Sequence, residues 1–389
     1  MTAISHRRPH STAWSVWTLI ATIAAVALLA RTLQHRNPQA APLPARPGGS
    51  DAPPVDPPAL PILAIALNCH HIEELDRYLA AVDRIAETGA DTLLVSTPLF
   101  QPDVHATTLR RPADRCPTDR QLRTILARAH ARGLRTALMP IVLLEHPGPD
   151  DWRGVLAPTD WDAWWTAYER ELQALLDLAI EAGVDLFFVG SELNSTELQV
   201  DRWVDLVTRI RTRYAGRLSY AANWDRYEAI TFWPLVDLLS VSAYFELAAD
   251  GATPSVGDLT ASWDVERERL LAAAARFGRP VFLSELGYPS LPWAAAHPWN
   301  YVAPAGTRAD HVMAARCYES FFASWGASLG SSGSGAGGVC VYLWDPYHRG
   351  GVSDTGYGLF GKPSLGVVRD GFASIRRSTG GVGASAAVD

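Results

Sequence analysis

From residue 62 onward, short runs of apolar and β-branched residues alternate with longer segments in which apolar positions recur three or four apart. The runs are ILAIALN (62–68), DTLLVST (91–97), LRTALMPIV (134–142), VDLFFVGS (184–191), RLSYAAN (217–223), VDLLSVSAY (236–244), RPVFLSE (279–285) and GVCVYLW (338–344). They are continuous rather than alternating, as parallel strands covered on both faces should be. Between them, Leu122, Ile125, Leu126 and Ala129 share one helical face, as do Trp203, Leu206, Val207, Ile210 and Tyr214. Thr118 and Asp160 are expected N-caps, and Gly89, Gly133, Gly183 and Gly278 stand where helices should stop. WDRYEAITFWPL, after the fifth run, is the weakest helix of the series.

Eight strands alternating with helices predict an α/β fold, a single (β/α)8 TIM barrel. A doubly wound open sheet fits less well, because it prefers fewer strands and a glycine-rich first turn. The turn after the first run reads NCHHIEEL instead. The low-complexity stretch GSSGSGAGG precedes the eighth run, which places it at the end of the barrel opposite the strand C-termini.

Before the barrel the pattern changes twice. Residues 13–30, AWSVWTLIATIAAVALLA, carry no charge and follow Arg7 and Arg8. Roughly 17 to 25 apolar residues are needed to span a bilayer, so 1–30 is expected to be a signal anchor or a signal peptide. Ala25-Val26-Ala27 fits a cleavage site but lies inside the apolar run, which favours the anchor. The membrane is a partner through 13–30 if that segment is uncleaved, and either alternative places the main domain outside the cytoplasm. Residues 31–61 form a stiff Pro/Ala-rich linker. The barrel domain is then expected over 62–378, with a disordered tail over 379–389.

Composition narrows the chemistry. The 389 residues are 48% hydrophobic and 19% charged, with a net charge of -7, which describes a folded chain and argues against nucleic acid as a partner. Lys362 is the only lysine, which excludes most lysine-dependent chemistry, Schiff-base enzymes and the P-loop among it. Cys69, Cys116, Cys317 and Cys340 match no metal motif; in an exported domain they either pair or serve as small buried hydrophobes. Most of the 14 tryptophans are expected in the core. A monomer is expected.

Barrel enzymes build their sites at the C-terminal ends of the strands. Those ends deliver Asn68, Gln101, Glu192, Asn223, Trp224, Tyr244, Glu285 and Trp344, and the adjoining loops add His71, Trp152 and Trp299. Two glutamates on the fourth and seventh strands, ringed by aromatics, suit glycoside hydrolysis, in which one carboxyl protonates the leaving oxygen while the other attacks or activates water. The structural alternative for each glutamate is an ion pair with arginine. Trp152 and Arg153, in DWRG, either line the pocket or staple a long loop. His70 and His71 are adjacent, so their side chains diverge; no metal and no other cofactor is expected, and a metal-dependent hydrolase is the weaker alternative. A sugar-binding barrel without turnover is the other.

Taken in order, VGSELNS, YAANWDRYEAITFW, VDLLSVSAYFEL, VFLSELGYPS and YLWDP with GYGLFGKPS resemble glycoside hydrolase family 113, a β-mannanase family of clan A; TPLFQ and DWRGVLAP add to the resemblance. The resemblance implies a retaining glycosidase acting on a β-linked polysaccharide or oligosaccharide, with β-1,4-mannan foremost. It implies Glu192 as acid/base, Glu285 as nucleophile, Tyr244 as hydrogen-bond donor to the nucleophile, Trp344 as the floor beneath the attacked sugar, and Asn223 and Trp224 as sugar contacts. Retention implies carboxyl groups about 5–5.5 Å apart. Two departures stand out: Ser191 precedes the acid/base where most of the clan has asparagine, and Met139-Pro140 stands where a Lys-Pro pair is expected.

Overall fold

The computed structural model describes residues 60–347 and 350–380. The apolar run 13–30, the linker as far as residue 59 and the tail from 381 lie outside the described residues. Among the described residues no helix is long and apolar enough to cross a membrane.

The chain runs β1 (Ile62–Asn68), α1 (Leu75–Ala86), β2 (Thr92–Gln101), α2 (Asp119–Ala131), β3 (Arg135–Leu144), α3 (Trp161–Glu181), β4 (Leu186–Ser191), α4 (Val200–Arg213) and β5 (Arg217–Asn223). It continues with β6 (Leu238–Ser242), α5 (Val256–Phe277), β7 (Val281–Leu286), α6 (His311–Leu329), β8 (Ala336–Trp344) and α7 (Pro363–Gly380). The eight strands pair in chain order and close into a barrel, every ladder parallel. α7 reaches Gly380, so Thr379 and Gly380, expected in the tail, are helical.

Local chemistry sets the helix ends. Thr118 caps α2 in a reciprocal box with Gln121, and the Asp160 side chain accepts from the backbone of Asp162 and Ala163 at the start of α3. Each such cap contributes about 1 kcal/mol. Gly278 ends α5 at φ 63°, a conformation that costs other residues a clash at Cβ.

Between β5 and β6 the weak helix is absent. Two short 3-10 turns, Tyr227–Ala229 and Trp233–Leu235, take its place. Pro234 removes a backbone donor there, and the aromatics fill the helix's volume: Phe232 stacks on Trp203 with ring centroids 5.1 Å apart. Trp203 also meets Trp165 and Tyr220 edge-on, so a continuous aromatic layer covers this side of the barrel.

Two apolar cores result. Ile62, Ala64, Ala66, Leu94, Ala137 and Met139 belong to the one inside the barrel, together with Phe188, Phe282 and Cys340. The other is the thicker layer between strands and helices. All four cysteines are buried and unpaired.

Barrel closure depends on one glycine. Gly338 on β8 faces Ile62 on β1 at φ 144°, and a Cβ there would stand 2.2 Å from the Ile62 carbonyl oxygen. Gly338→Ala is therefore expected to cost roughly 3 kcal/mol or more and to lower the thermal midpoint by several degrees. Gly326→Ala, inside α6 with nothing near the added carbon, should be neutral or stabilise by up to about 1 kcal/mol. Thermal unfolding followed by circular dichroism compares the two; equal midpoints would mean that the seam tolerates the methyl group.

Candidate active site

The strands do not stay in simple register at their C-terminal ends, and this aims the polar residues. The β4–β5 ladder shifts between Phe188 and Ser191, and Glu192 follows at φ 52°, the one non-glycine residue with positive φ among those described. Such a backbone costs on the order of 1–3 kcal/mol and is held by its surroundings: the Glu192 amide donates to the Ala221 carbonyl at 2.8 Å, and the next amide donates to the Tyr220 hydroxyl. The β6–β7 ladder shifts just before Glu285, which pairs with Ser242.

Both glutamates line one cavity of about 760 Å³ at this end of the barrel, with Arg153, Asn223, Tyr244 and Tyr342. A second cavity of about 830 Å³ lies at the opposite end beside the Gly330–Ala336 loop, and no carboxylate lines it. The two are similar in size, and the paired acids single out the first.

The Tyr244 hydroxyl donates to Glu285 Oε2 at 2.8 Å, while Glu285 Oε1 is buried without a partner. Burial, and then the negative charge of Glu192, push the Glu285 carboxyl up to about 7; Arg153 and the Tyr244 hydroxyl act in the opposite direction. Arg153 Nη2 donates to Glu192 Oε2 at 2.5 Å. The arginine ion pair considered as the structural alternative for these glutamates is thus present at Glu192, but its members face the cavity rather than the core.

Asn223 and Trp224 line the cavity; the Asn223 Oδ1 accepts from the Trp224 amide, and Trp224 packs edge-on against Phe245. Trp152 forms part of the wall, and Trp299 stands half exposed at the rim. Asn68 acts one layer back: its amide nitrogen donates to the Tyr342 hydroxyl at 2.8 Å and its oxygen accepts from Ser96.

Two expectations are corrected. Trp344 is not the floor of the cavity. The register of β8 against β1 slips by one residue between Val341 and Trp344, which turns Trp344 outward onto Phe360, 1% exposed. Tyr342 faces the cavity instead, with its ring against Tyr244 and Tyr357. Gln101 is fully buried and structural: it donates to the Asp103 and Ala106 carbonyls and accepts from Trp164 Nε1, tying a loop to α3. His71 stands beside Glu73 and lines an adjoining cavity of about 600 Å³ that shares Trp152, Arg153 and Tyr301 with the central one.

Sequence reasoning missed His70, Tyr301, Tyr342 and Tyr357, which all line the central cavity. Period-two alternation from the inward Cys340 points to Tyr342. Nothing comparable marks Tyr357, whose loop is held by the sole lysine: buried Lys362 pairs with Asp354 at 3.0 Å and donates to the Gly356 carbonyl. His70 is pushed down to about 4, first by burial and then by Arg153, so it is neutral near pH 7.

The family model of Glycoside Hydrolase Family 113 matches residues 75–361. Among solved structures, the GH113 β-mannanase AaManA from Alicyclobacillus acidocaldarius, in complex with ManMIm, superposes with a TM-score of 0.71 at 24% identity, over 81% of this chain and 98% of that one. Another GH113 β-1,4-mannanase gives 0.70 at 21%, over 81% and 98%. A GH5_18 protein from Streptomyces cattleya, in complex with GlcNAc, gives 0.56 at 19%, over 82% and 81%. At these identities the superpositions establish the fold. Among curated proteins, no sequence matches this chain.

A carboxyl whose proton affinity rises on folding stabilises the fold most when protonated. For Glu285 that contribution is complete below about pH 4.5 and is lost as pH rises through about 7. Glu285→Gln, neutral and nearly isosteric, should therefore exceed the parent in stability at pH 8 by on the order of 2–3 kcal/mol, with the gap closing toward pH 4.5. Denaturant unfolding at the two pH values measures it; a variant less stable than the parent at pH 8 would show the charge to be fully compensated in place.

Proposed function

This chain belongs to glycoside hydrolase family 113, and from that premise we propose that it hydrolyses β-1,4-linked mannan by double displacement, with Glu285 as nucleophile and Glu192 as acid/base. The observation that carries the reading is the presence of both carboxylates in one cavity, with Tyr244 donating to Glu285. In the first half-reaction Glu192 gives its proton to the leaving oxygen while Glu285 bonds to the anomeric carbon. In the second, Glu192 takes a proton from water, whose oxygen displaces Glu285.

The rest of the cavity supports the assignment. Tyr244 holds one oxygen of Glu285 and leaves the other free to attack. Tyr342, Tyr357 and Trp224 offer aromatic faces to the C–H surfaces of a sugar ring. Asn223 and Asp225 supply polar groups for hydroxyls, whereas β3 contributes only apolar Ile141 and Leu143. The apolar run at 13–30 supports action outside the cytoplasm, on polymer too large to cross a membrane.

A panel of β-linked polysaccharides, with product anomers followed by NMR, tests the proposal. Mannan should be cleaved with retention of configuration, chelators should have no effect, and Glu285→Ala should lower turnover by roughly 10³-fold or more while still binding manno-oligosaccharide. Inverted product, or undiminished turnover in the variant, would rule the mechanism out; preference for another β-glycan would rule out the substrate.

A further inference from the structure

Arg153 enters the cavity from the loop between β3 and α3, where it opens the 3-10 turn Arg153–Val155. Its guanidinium grips Glu192 Oε2 through Nη2, while its Nε is buried and has no partner. Burial opposes its charge, but Glu192 and then Glu285 more than offset this and hold its proton firmly. His70 beside it is neutral, so Arg153 is the permanent cation among these groups.

Double displacement needs two different charge patterns at the same pair of acids. Bond cleavage starts from a protonated Glu192 and an anionic Glu285. Release of the sugar starts from an anionic Glu192 and an uncharged, esterified Glu285. A cation fixed on Glu192 favours the second pattern and opposes the first. The ligand-free site, with the Glu192–Arg153 pair made and Glu285 deeply buried with a free oxygen, already resembles the second.

We propose that Arg153 is a positioning residue for the second half-reaction, holding Glu192 as an oriented anion so that it can act as base on the incoming water. In that step the water's proton passes to Glu192, the water oxygen bonds to the anomeric carbon, and the bond from that carbon to Glu285 breaks, its electron pair returning to the carboxylate. Arg153 acts through Glu192, not on the sugar. The inference rests on the assignment of Glu285 as nucleophile and Glu192 as acid/base.

The test uses the full chain and a 2,4-dinitrophenyl β-manno-oligosaccharide, whose leaving group departs without acid help, so that formation of the adduct does not depend on Glu192. Arg153→Met should lower kcat by about 10-fold or more and lower KM with it, leaving kcat/KM within about 3-fold of the parent. A burst of dinitrophenolate should appear, and intact-mass measurement at steady state should find most of the variant carrying sugar on Glu285. Arg153→Lys, which keeps the charge, should recover much of kcat and lose most of the adduct. Arg153→Gln serves as a second neutral variant, with circular dichroism checking the fold of all three.

Parallel loss of kcat and kcat/KM with no adduct in the neutral variants overturns the proposal, as does accumulation in the lysine variant equal to that in the neutral ones. Labelling the parent with a 2-deoxy-2-fluoro-β-mannosyl fluoride separates the two levels. If the parent labels at Glu285 but the neutral variants do not accumulate adduct, only the role of Arg153 falls. If the parent never labels there, the assignment beneath it falls as well.

Discussion

Two carboxylates and one guanidinium, taken out of bulk water together, form the interaction around which this site is organised. Either acid alone would meet a desolvation cost of several kcal/mol as an ion. Arg153 satisfies Glu192 directly and lies within electrostatic reach of Glu285, so these two acids share one counter-charge between them. That shortage keeps a proton on the pair near neutral pH: Glu285, fully enclosed and repelled by Glu192, is pushed up to about 7. Because the acids interact, the proton belongs to the pair rather than to one member. Another carboxylate at this end of the barrel, Glu145, is drawn off by Arg110 and Arg115.

The barrel supplies the rigidity that this arrangement requires. Eight paired strands around a close-packed interior leave little freedom at their ends, and where a side chain must be re-aimed the ladder slips rather than bends. Glu192 shows the cost, since it sits in a backbone conformation that most residues avoid. Behind it the aromatic layer of Trp165, Trp203, Tyr220 and Phe232 packs edge to face except where Phe232 stacks on Trp203, and the Tyr220 hydroxyl accepts the amide directly after Glu192. The tryptophan-rich composition goes mainly into the core and not to the cavity: Trp164, Trp203, Trp233, Trp263, Trp325 and Trp344 are all essentially inaccessible.

Features written in local chemistry were legible in the sequence. The strand runs, the caps at Thr118 and Asp160 and the glycine at the end of α5 follow from residue type and spacing alone. So did the convergence of Glu192 and Glu285, because parallel strands in a closed barrel bring their C-terminal ends to one mouth. What depended on a single-residue slip was not legible. Trp344 and Tyr342 have the same parity on β8, so alternation alone would turn both inward, and only the shift against β1 turns Trp344 away from the cavity. Gln101 ends β2 as a polar residue, yet the loop after it folds back to take its amide nitrogen, and Trp164 on α3 takes its oxygen. His70 and His71 were a choice between neighbours that no periodicity outside a strand can make. The fifth helix was correctly the weakest, but its replacement by aromatic side chains required knowing that Trp203 lay opposite.

The departures from the family pattern bear on where the cavity's positive charge comes from. At Met139-Pro140 the strand offers none: Met139 packs in the barrel interior, and the cavity-facing residues further along β3 are Ile141 and Leu143. The cation arrives instead from the loop that follows, on a short turn where Gly154 leaves room for the Trp152 ring to fold over the backbone. Strand and loop positions differ in kind. A strand end fixes its side chain against a ladder on both sides, which suits carboxylates that must keep station on one anomeric carbon. Arg153 reaches Glu192 from the loop and holds it through Nη2, so the charge beside the acid is set by a different element from the acid itself. Glu192 and Glu285 are held by the barrel and Arg153 by a loop, so the position of the two acids and the charge that biases one of them are specified by separate parts of the chain.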